Sequence, residues 1–529
     1  MIEAGRGELF TDYVSDGVWS GQRCFVIGGG PSLRAFNWDL LRGELVIAVN
    51  RAGEFCDPAI IFSLDTRFWE HTANCTIAGK PGKERLENFG GYCLWEDTGG
   101  NACKRSFGNY VMRLPKTKIE KGNAMPRTMK DGVGHGFNSG FGAVSLALCL
   151  GADPIYLLGF DMKGQNGVVS HFHSGYPRKW RQNGKVYSTF IASFNKVAED
   201  CLSRAKIINL NPDSAMECFP RMTWDEAGIE TKKRPVVVAY YTKGTGYEKE
   251  SVTLHRSLHL FGLEHEILGV RNLGSWQKNT QFKSRFIKVM LEKYHGRPVV
   301  YIDVDAEIKK YPILWDQWSS GNQPPDIGVY YRDFGDKTGN RKELLSGTVY
   351  FGNSNEKSLE LVNQWIDINE KHPKTWDQKT LAIAIQGWDG TVKFMPAEYC
   401  CIFDLMQNKK WENVENPVVI HYQASRRLKK QVESCEPESM EEYEERKLRE
   451  HVRLTDTDQI VLNEMLSKTS IDVHDRQKTV KRVIKRLKSP VKPVKMEVTV
   501  QDQEKRVPTK EDIKKRRLQN VEPCDWGLE

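Results

Sequence analysis

Short apolar runs recur along the first 430 positions, separated by stretches with helical spacing. Cys24–Ile27, Leu45–Val49, Ala59–Ser63, Pro154–Leu158 and Lys206–Leu210 read as buried strands, and Ser139–Leu150 as a helix of small residues. A second series begins at Pro235–Tyr240 and continues through Val299–Ile302, Ile327–Tyr330, Thr348–Phe351 and Val418–His421. Continuous apolar runs, rather than alternating ones, belong to strands covered on both faces. Strands alternating with helices predict an α/β chain of two Rossmann-like units, with mostly parallel sheets flanked by helices.

The patterning predicts four segments. Residues 1–20 form a leader, 21–225 a first nucleotide-binding unit, 226–430 a second unit, and 431–529 a charged tail. A chain of 529 residues exceeds one core. The formal net charge is +8, and Lys478–Lys488 is strongly basic. Val480, Val483, Ile484 and Leu487 share one helical face there, so the tail is a candidate nucleic-acid contact as well as a solvated helix. The 12 cysteines form no regular framework, which suits reduced thiols. His71, Cys75, Cys93 and Cys103 are a candidate zinc set, but they lack paired Cys-x-x-Cys spacing. With no secretory signal and no long apolar stretch, a cytoplasmic protein without a transmembrane segment is expected.

Candidate chemistry gathers at strand ends. Val299–Ile302 runs into Asp303-Val304-Asp305. Two carboxylates side by side at the carboxyl edge of a sheet repel unless a cation or proton lies between them, and Mn²⁺ or Mg²⁺ with a diphosphate resolves the conflict. Tyr241 and Thr242 lead into a glycine-containing loop able to pack a nucleotide. Ser346 and Gly347 permit close approach of a sugar, and Asp377 is a candidate for taking an acceptor proton or holding donor hydroxyls. His421 ends a strand and could complete a metal shell, with Arg426, Arg427, Lys429 and Lys430 available to phosphates. In the first unit, Gly28, Gly29, Gly30 and Ser32 form a loop after a strand, where freed amides could hold phosphate. Asn50, Ser139, Gly140, Asp161, Asn211 and Ser214 also fall at strand ends, and His171 and His173 lie in a loop.

From about Arg234 to Lys430 the chain resembles nucleotide-diphospho-sugar transferases of the GT-A fold. The resemblance rests on Lys283…Phe286-Ile287…Pro298–Ala306, Leu345–Phe351, Asp377-Gln378 and His421. It implies transfer of a sugar, with a UDP-sugar as the expected donor, and Asp303, Asp305 and His421 as metal ligands. Residues from about Arg23 to Pro220 resemble bacterial sialyltransferases of the Campylobacter type and the related domain of 6-hydroxymethylpterin diphosphokinases. That resemblance implies a CMP or other nucleotide pocket, with His173, or else His171, as base. Gly159-Phe160-Asp161-Met162 departs from the sialyltransferase pattern. The expected function is therefore a metal-dependent glycosyltransferase with a second transferase-like unit. Its basic tail also suits DNA modification of the bacteriophage type. A binding protein with two inactive nucleotide folds, or diphosphokinase activity in the first unit, are the alternatives.

Overall fold

The structure is a computed structural model. It describes residues 9–434 except 78, 97–110, 116, 118–123, 165–169, 174–175, 177–183, 231–233, 322, 335–341, 353–355 and 408–413. All described residues fall in one compact unit. The basic tail, and Cys103 of the zinc set, lie outside them.

The first sheet contains β1 (Cys24–Ile27), β2 (Leu45–Val49), β3 (Ile60–Phe62), β4 (Tyr92–Glu96), β5 (Val111–Leu114), β6 (Ile155–Leu158) and β7 (Ile207–Asn209). Its order is β5-β4-β3-β2-β1-β6-β7, and every pairing is parallel. β1, β2, β3, β4, β6 and β7 are buried along their whole length, as unbroken apolar runs require. The chain leaves β1 in one direction and returns to its other side at β6. This makes the carboxyl end of β1 a topological switch point, the usual ligand crevice of open α/β sheets. Cys93 of the candidate zinc set is buried inside β4, whereas Cys75 is exposed.

The second sheet joins β8 (Val236–Thr242), β9 (His265–Val270), β10 (Val299–Ile302), β12 (Ile327–Asp333), β13 (Lys342–Phe351) and β14 (Val392–Phe394), in the order β14-β12-β13-β10-β8-β9. β8 pairs in parallel with β9 and β10, and β12 with β14, but β13 runs antiparallel to both β10 and β12. This sheet is more mixed than the sequence pattern predicts. Only residues 334–341 separate β12 from β13, too short for the crossover that a parallel pair needs. A small third sheet pairs β16 (Val419–His421) antiparallel with β11 (Ala306–Ile308) and parallel with β15 (Cys401–Ile402).

One hydrophobic core runs between the two larger sheets, from Trp19, Val26 and Ile47 to Val237, Leu258, Val300 and Trp315. Its seam carries buried polar links. Trp19 Nε1 donates to Leu260 O at 2.7 Å. Arg23 donates to Glu44 through Nε (2.9 Å) and Nη2 (2.5 Å), and Arg234 Nη2 stands 3.7 Å from the same carboxylate. Arg234 Nε also lies 3.7 Å from Asp316. Gly262, at φ +59°, is required at this seam, because a Cβ there would lie 2.7 Å from Glu44 O. Glu44 thus neutralises two guanidinium groups where the sheets meet. Glu44→Ala is expected to cost about 3–5 kcal/mol, the usual penalty for stranding a buried charge. Urea unfolding would measure it, and Glu44→Gln should fall between the variant and the parent.

Candidate active site

The carboxyl edge of the second sheet opens onto a cavity of ≈ 460 Å³. β10 delivers the acidic pair to its floor. Asp303 N donates to Gly347 O at 2.8 Å, which locks the end of β10 to β13. Tyr301 OH donates to Asp303 Oδ1 at 2.8 Å. Asp305 is held from the opposite side, where Ala424 N donates to its Oδ2 at 2.7 Å and Tyr422 N to its carbonyl at 2.9 Å. The β11–β16 pairing sets Ala306 opposite His421, so three residues far apart in sequence converge. Donor atoms of Asp303, Asp305 and His421 all lie within 4.8 Å of one another.

The residues present fit a divalent cation. Burial, then the neighbouring charge of Asp303, pushes Asp305 up to about 7, although the Ala424 amide opposes the shift. A cation would remove that conflict. Burial lowers His421 to about 4, which keeps its imidazole neutral as ligation requires. Thr348 Oγ1 meets His421 Nε2 at 2.9 Å and orients the ring. Two carboxylates with one imidazole suit Mn²⁺ or Mg²⁺ better than a soft metal. Gly347 has a use that its sequence context does not reveal. A Cβ there would lie 2.9 Å from His421 Cε1, so the missing side chain makes room for the imidazole as well as for any ligand.

Lys283 enters the sequence reading only as part of the helix pattern, with no site role assigned to it. Its ammonium is buried, 3.0 Å from Asp303 Oδ1 and 2.8 Å from Asp377 Oδ2. It also donates to Ser346 Oγ at 3.1 Å and Ser346 O at 3.2 Å, while Ser346 Oγ donates to Asp377 Oδ2 at 2.8 Å. Lys283 sits on the helix Trp276–Lys293, whose buried face comprises Asn279, Phe282, Lys283, Phe286, Ile287 and Met290. Polar residues four apart within an apolar face were the available signal. Asn279 lines the cavity beside Lys283, and its amide spans Asn272 Oδ1 and Leu273 N at 2.8 Å each.

Asp377 is the first residue of the helix Asp377–Gln386. Its Oδ2 already accepts from Lys283 and Ser346, so that oxygen is not free to take a proton. Tyr241, Thr242 and Arg426 line the same cavity. The other basic residues after His421 divide: Arg427 pairs with Glu250 at 3.1 Å, and Lys429 lies 4.8 Å from the Trp276 ring centroid.

The first-sheet residues form a different picture. Gly28 N, Gly30 N and Ser32 N donate to Leu158 O, Gly159 O and Asp161 Oδ1 at 2.7, 2.9 and 3.0 Å. These three amides each donate to an acceptor within the protein. The element that follows is a short 3₁₀ helix, Pro31–Ala35. Gly30 is glycine because a Cβ would overlap Asp161 Oδ2, which accepts from Ser32 Oγ at 2.8 Å. Ser139 Oγ accepts from Leu64 N at 3.0 Å, and Gly140 packs against the Phe160 ring. Ser214 Oγ donates to Phe160 O at 2.6 Å, and Asn211 Oδ1 accepts from Asp213 N at 3.0 Å. Asn50, at φ +54°, leaves its buried Oδ1 without a hydrogen-bond partner, as does Asn211 at Nδ2. His171 and His173 stack at 5.3 Å between ring centroids, each 5.0 Å from Tyr176, and His171 lies over Gly29. Burial lowers the His171 pKa.

Residues 273–433 match the family model of the nucleotide-diphospho-sugar transferases. The match takes in the acidic pair, Lys283, Ser346, Gly347, Asp377, His421 and Arg426; the first sheet lies outside it. It supports a nucleotide-diphospho-sugar transferase of GT-A type, and hence a glycosyltransferase enzyme. Solved structures that align with the chain include a glycosyltransferase involved in glycosylation of the major capsid of PBCV-1, at 14% identity over 38% of this chain and 100% of that one, with TM-score 0.29. The galactosyltransferase LgtC, in complex with donor and acceptor sugar analogues, aligns at 11% identity over 36% of this chain and 87% of that one, with TM-score 0.24. The MAf glycosyltransferase from Magnetospirillum magneticum AMB-1 aligns at 14% identity over 41% of this chain and 36% of that one, with TM-score 0.26. A search of curated proteins returns no match. Among the described residues, no helix is long and apolar enough to cross a membrane.

Two outcomes follow from this geometry. Lys283→Met leaves Asp303 and Asp377 facing each other without their shared cation, and is expected to destabilise the fold by about 3–5 kcal/mol in urea unfolding. Asp305 titrates near 7 in the fold against 3.8 for a free carboxylate. The cation-free protein therefore binds more protons folded than unfolded between these values, and loses stability as pH rises through them. A divalent cation, which needs ionised Asp305, should reverse the trend near and above neutrality. Thermal unfolding in EDTA and in Mn²⁺ from about pH 5 to about pH 8, a window that spans neutrality, reads both slopes.

Proposed function

We propose that the chain is a metal-dependent glycosyltransferase, moving a sugar from a UDP-type nucleoside diphosphate to an acceptor hydroxyl. The observation that carries this reading is the convergence of Asp303, Asp305 and His421 at the floor of a cavity within the matched family region. These residues would hold Mn²⁺ or Mg²⁺. When bound, the cation offsets negative charge developing on the departing diphosphate.

The remaining roles belong to the chain itself. Tyr241, Thr242 and Tyr247 form a wall against which a base and ribose can pack. Ser425 and Arg426 line the cavity at the start of the helix Ser425–Ser434, where the Arg426 guanidinium, held by Asp404 at 2.8 Å, suits a diphosphate. Lys283, Ser346 and Asp377 form a rigid polar patch beside the acidic pair, suited to gripping sugar hydroxyls. Pre-set donors and acceptors of this kind lose little on reorganising as the transition state forms. The rim residues Arg332, Glu343 and Gln378 offer polar contacts for an acceptor, with Gln378 Nε2 donating to Glu343 Oε1 at 2.8 Å.

Purified protein incubated with a panel of nucleotide sugars should hydrolyse one of them slowly in Mn²⁺ and not in EDTA. Asp305→Ala should lower that rate by at least about 10²-fold, as removal of a charge-stabilising group does elsewhere. Turnover that persists in EDTA and survives both Asp303→Ala and Asp305→Ala would sink the proposal.

A further inference from the structure

A second cluster of ligand-bearing side chains lies away from the cavity described above, at the seam between the two large sheets. His255 and His259 stand one turn apart on the helix Tyr247–Leu260, and His265 opens β9. Their ring centroids form a near-equilateral triangle with sides of 4.6, 4.7 and 4.8 Å. One donor atom from each lies within 4.8 Å of the others. Tetrahedral zinc with Zn–N near 2.0–2.1 Å sets its ligand nitrogens about 3.3 Å apart. His265 Nε2 and His255 Nδ1 are already 3.0 Å apart.

From this geometry we propose that His255, His259 and His265 form a site for a divalent transition cation of the Zn²⁺ class, separate from the acidic site. His265 Nδ1 lies 2.6 Å from Leu263 O. A carbonyl can only accept, so this nitrogen carries the proton and Nε2 presents a lone pair to the cluster. A backbone carbonyl on the far nitrogen is the usual support of a metal-bound imidazole. His259 likewise hydrogen-bonds the Pro58 backbone. Burial pulls His255, His259 and His265 down to about 4, 3 and 4, so all three are neutral near pH 7, the form that binds metal.

The first-sheet side of the seam is shaped to receive these rings. A Cβ on Gly90 would lie 2.0 Å from His255 Cδ2 and 2.6 Å from His259 Nε2, so only glycine leaves room for them. Beside them is a cavity of ≈ 500 Å³ lined by Asp57, Glu84, Asn88 and Gly90. Asp57 Oδ1 stands 3.8 Å from His259 Nδ1 but lies outside the three-histidine group, so a water is the fourth ligand. Three imidazoles select Zn²⁺, Co²⁺ or Ni²⁺ over the hard cations suited to Asp303 and Asp305. The bound ion would tie the helix Tyr247–Leu260 to β9.

The test uses full-length chain carrying Asp303→Ala and Asp305→Ala, so that only the histidine cluster is in question. After loading with Zn²⁺ and dialysis, it should retain about one equivalent, and X-ray absorption should show three imidazole nitrogens near 2.0 Å. Co²⁺ in place of Zn²⁺ should give the strong visible bands of a four-coordinate site. His259→Gln and His265→Gln, each added separately, should weaken Co²⁺ binding at least tenfold. Failure to retain metal would overturn the proposal. So would sulfur in the absorption spectrum, or binding unchanged by either substitution. Should a glutamine variant fail to fold, the absorption spectrum of the parent decides.

Discussion

A single buried ammonium organises the candidate active site. Lys283 lies between Asp303 and Asp377 and touches Ser346, so one cation joins the helix Trp276–Lys293, the end of β10, β13 and the helix Asp377–Gln386. Burying a lysine carries a large desolvation penalty, which two carboxylates at hydrogen-bond distance offset. The ammonium also prevents Asp303 and Asp377 from repelling each other, which lets acidic groups crowd one sheet edge before any metal arrives. Lys283 occupies Asp303 Oδ1 together with Tyr301, and so fixes the orientation of that carboxylate towards Asp305 and His421.

Strand direction completes the arrangement. β13 runs antiparallel to β10, which sets Thr348 opposite Ile302 and brings Ser346 and Gly347 to the acidic pair. The β11–β16 pairing carries His421 to the same point. Thr348 then orients the imidazole that Gly347 leaves room for. Two sheets with different pairing rules are therefore needed to assemble one set of ligands. The first sheet reaches a comparable switch point but closes it. There the glycine loop after β1 is stitched to the end of β6, with Asp161 receiving both Ser32 groups. Glycine in one loop admits the His421 imidazole, and in the other it admits Asp161, His171 and the backbone at Gly159.

Much of the fold was legible in the chain. Unbroken apolar runs marked nearly every buried strand, because a strand covered on both faces has no polar side to interrupt it. Asp303 and Asp305 stood out for the same local reason, as charges that end such a run. The mixed direction of the second sheet was not legible, since periodicity reports which faces are buried and not which way the neighbouring strand runs. The glycine loop after β1 was ambiguous for a related reason. Glycines announce close approach, but the sequence does not say whether a ligand or the protein's own backbone approaches.

The sequence by itself determined the alternation of strands and helices and put carboxylates, a histidine and small residues at strand ends, because these are properties of neighbours in the chain. Only the tertiary structure decided that Lys283, Ser346 and Asp377 form one polar patch, that His421 meets Asp303 and Asp305, and that His265 joins His255 and His259. Apart from His255 and His259, one turn apart on one helix, those groups lie dozens of residues apart or belong to different elements. Their meeting is set by sheet register and by the packing of one sheet on another, and neither is written in local spacing.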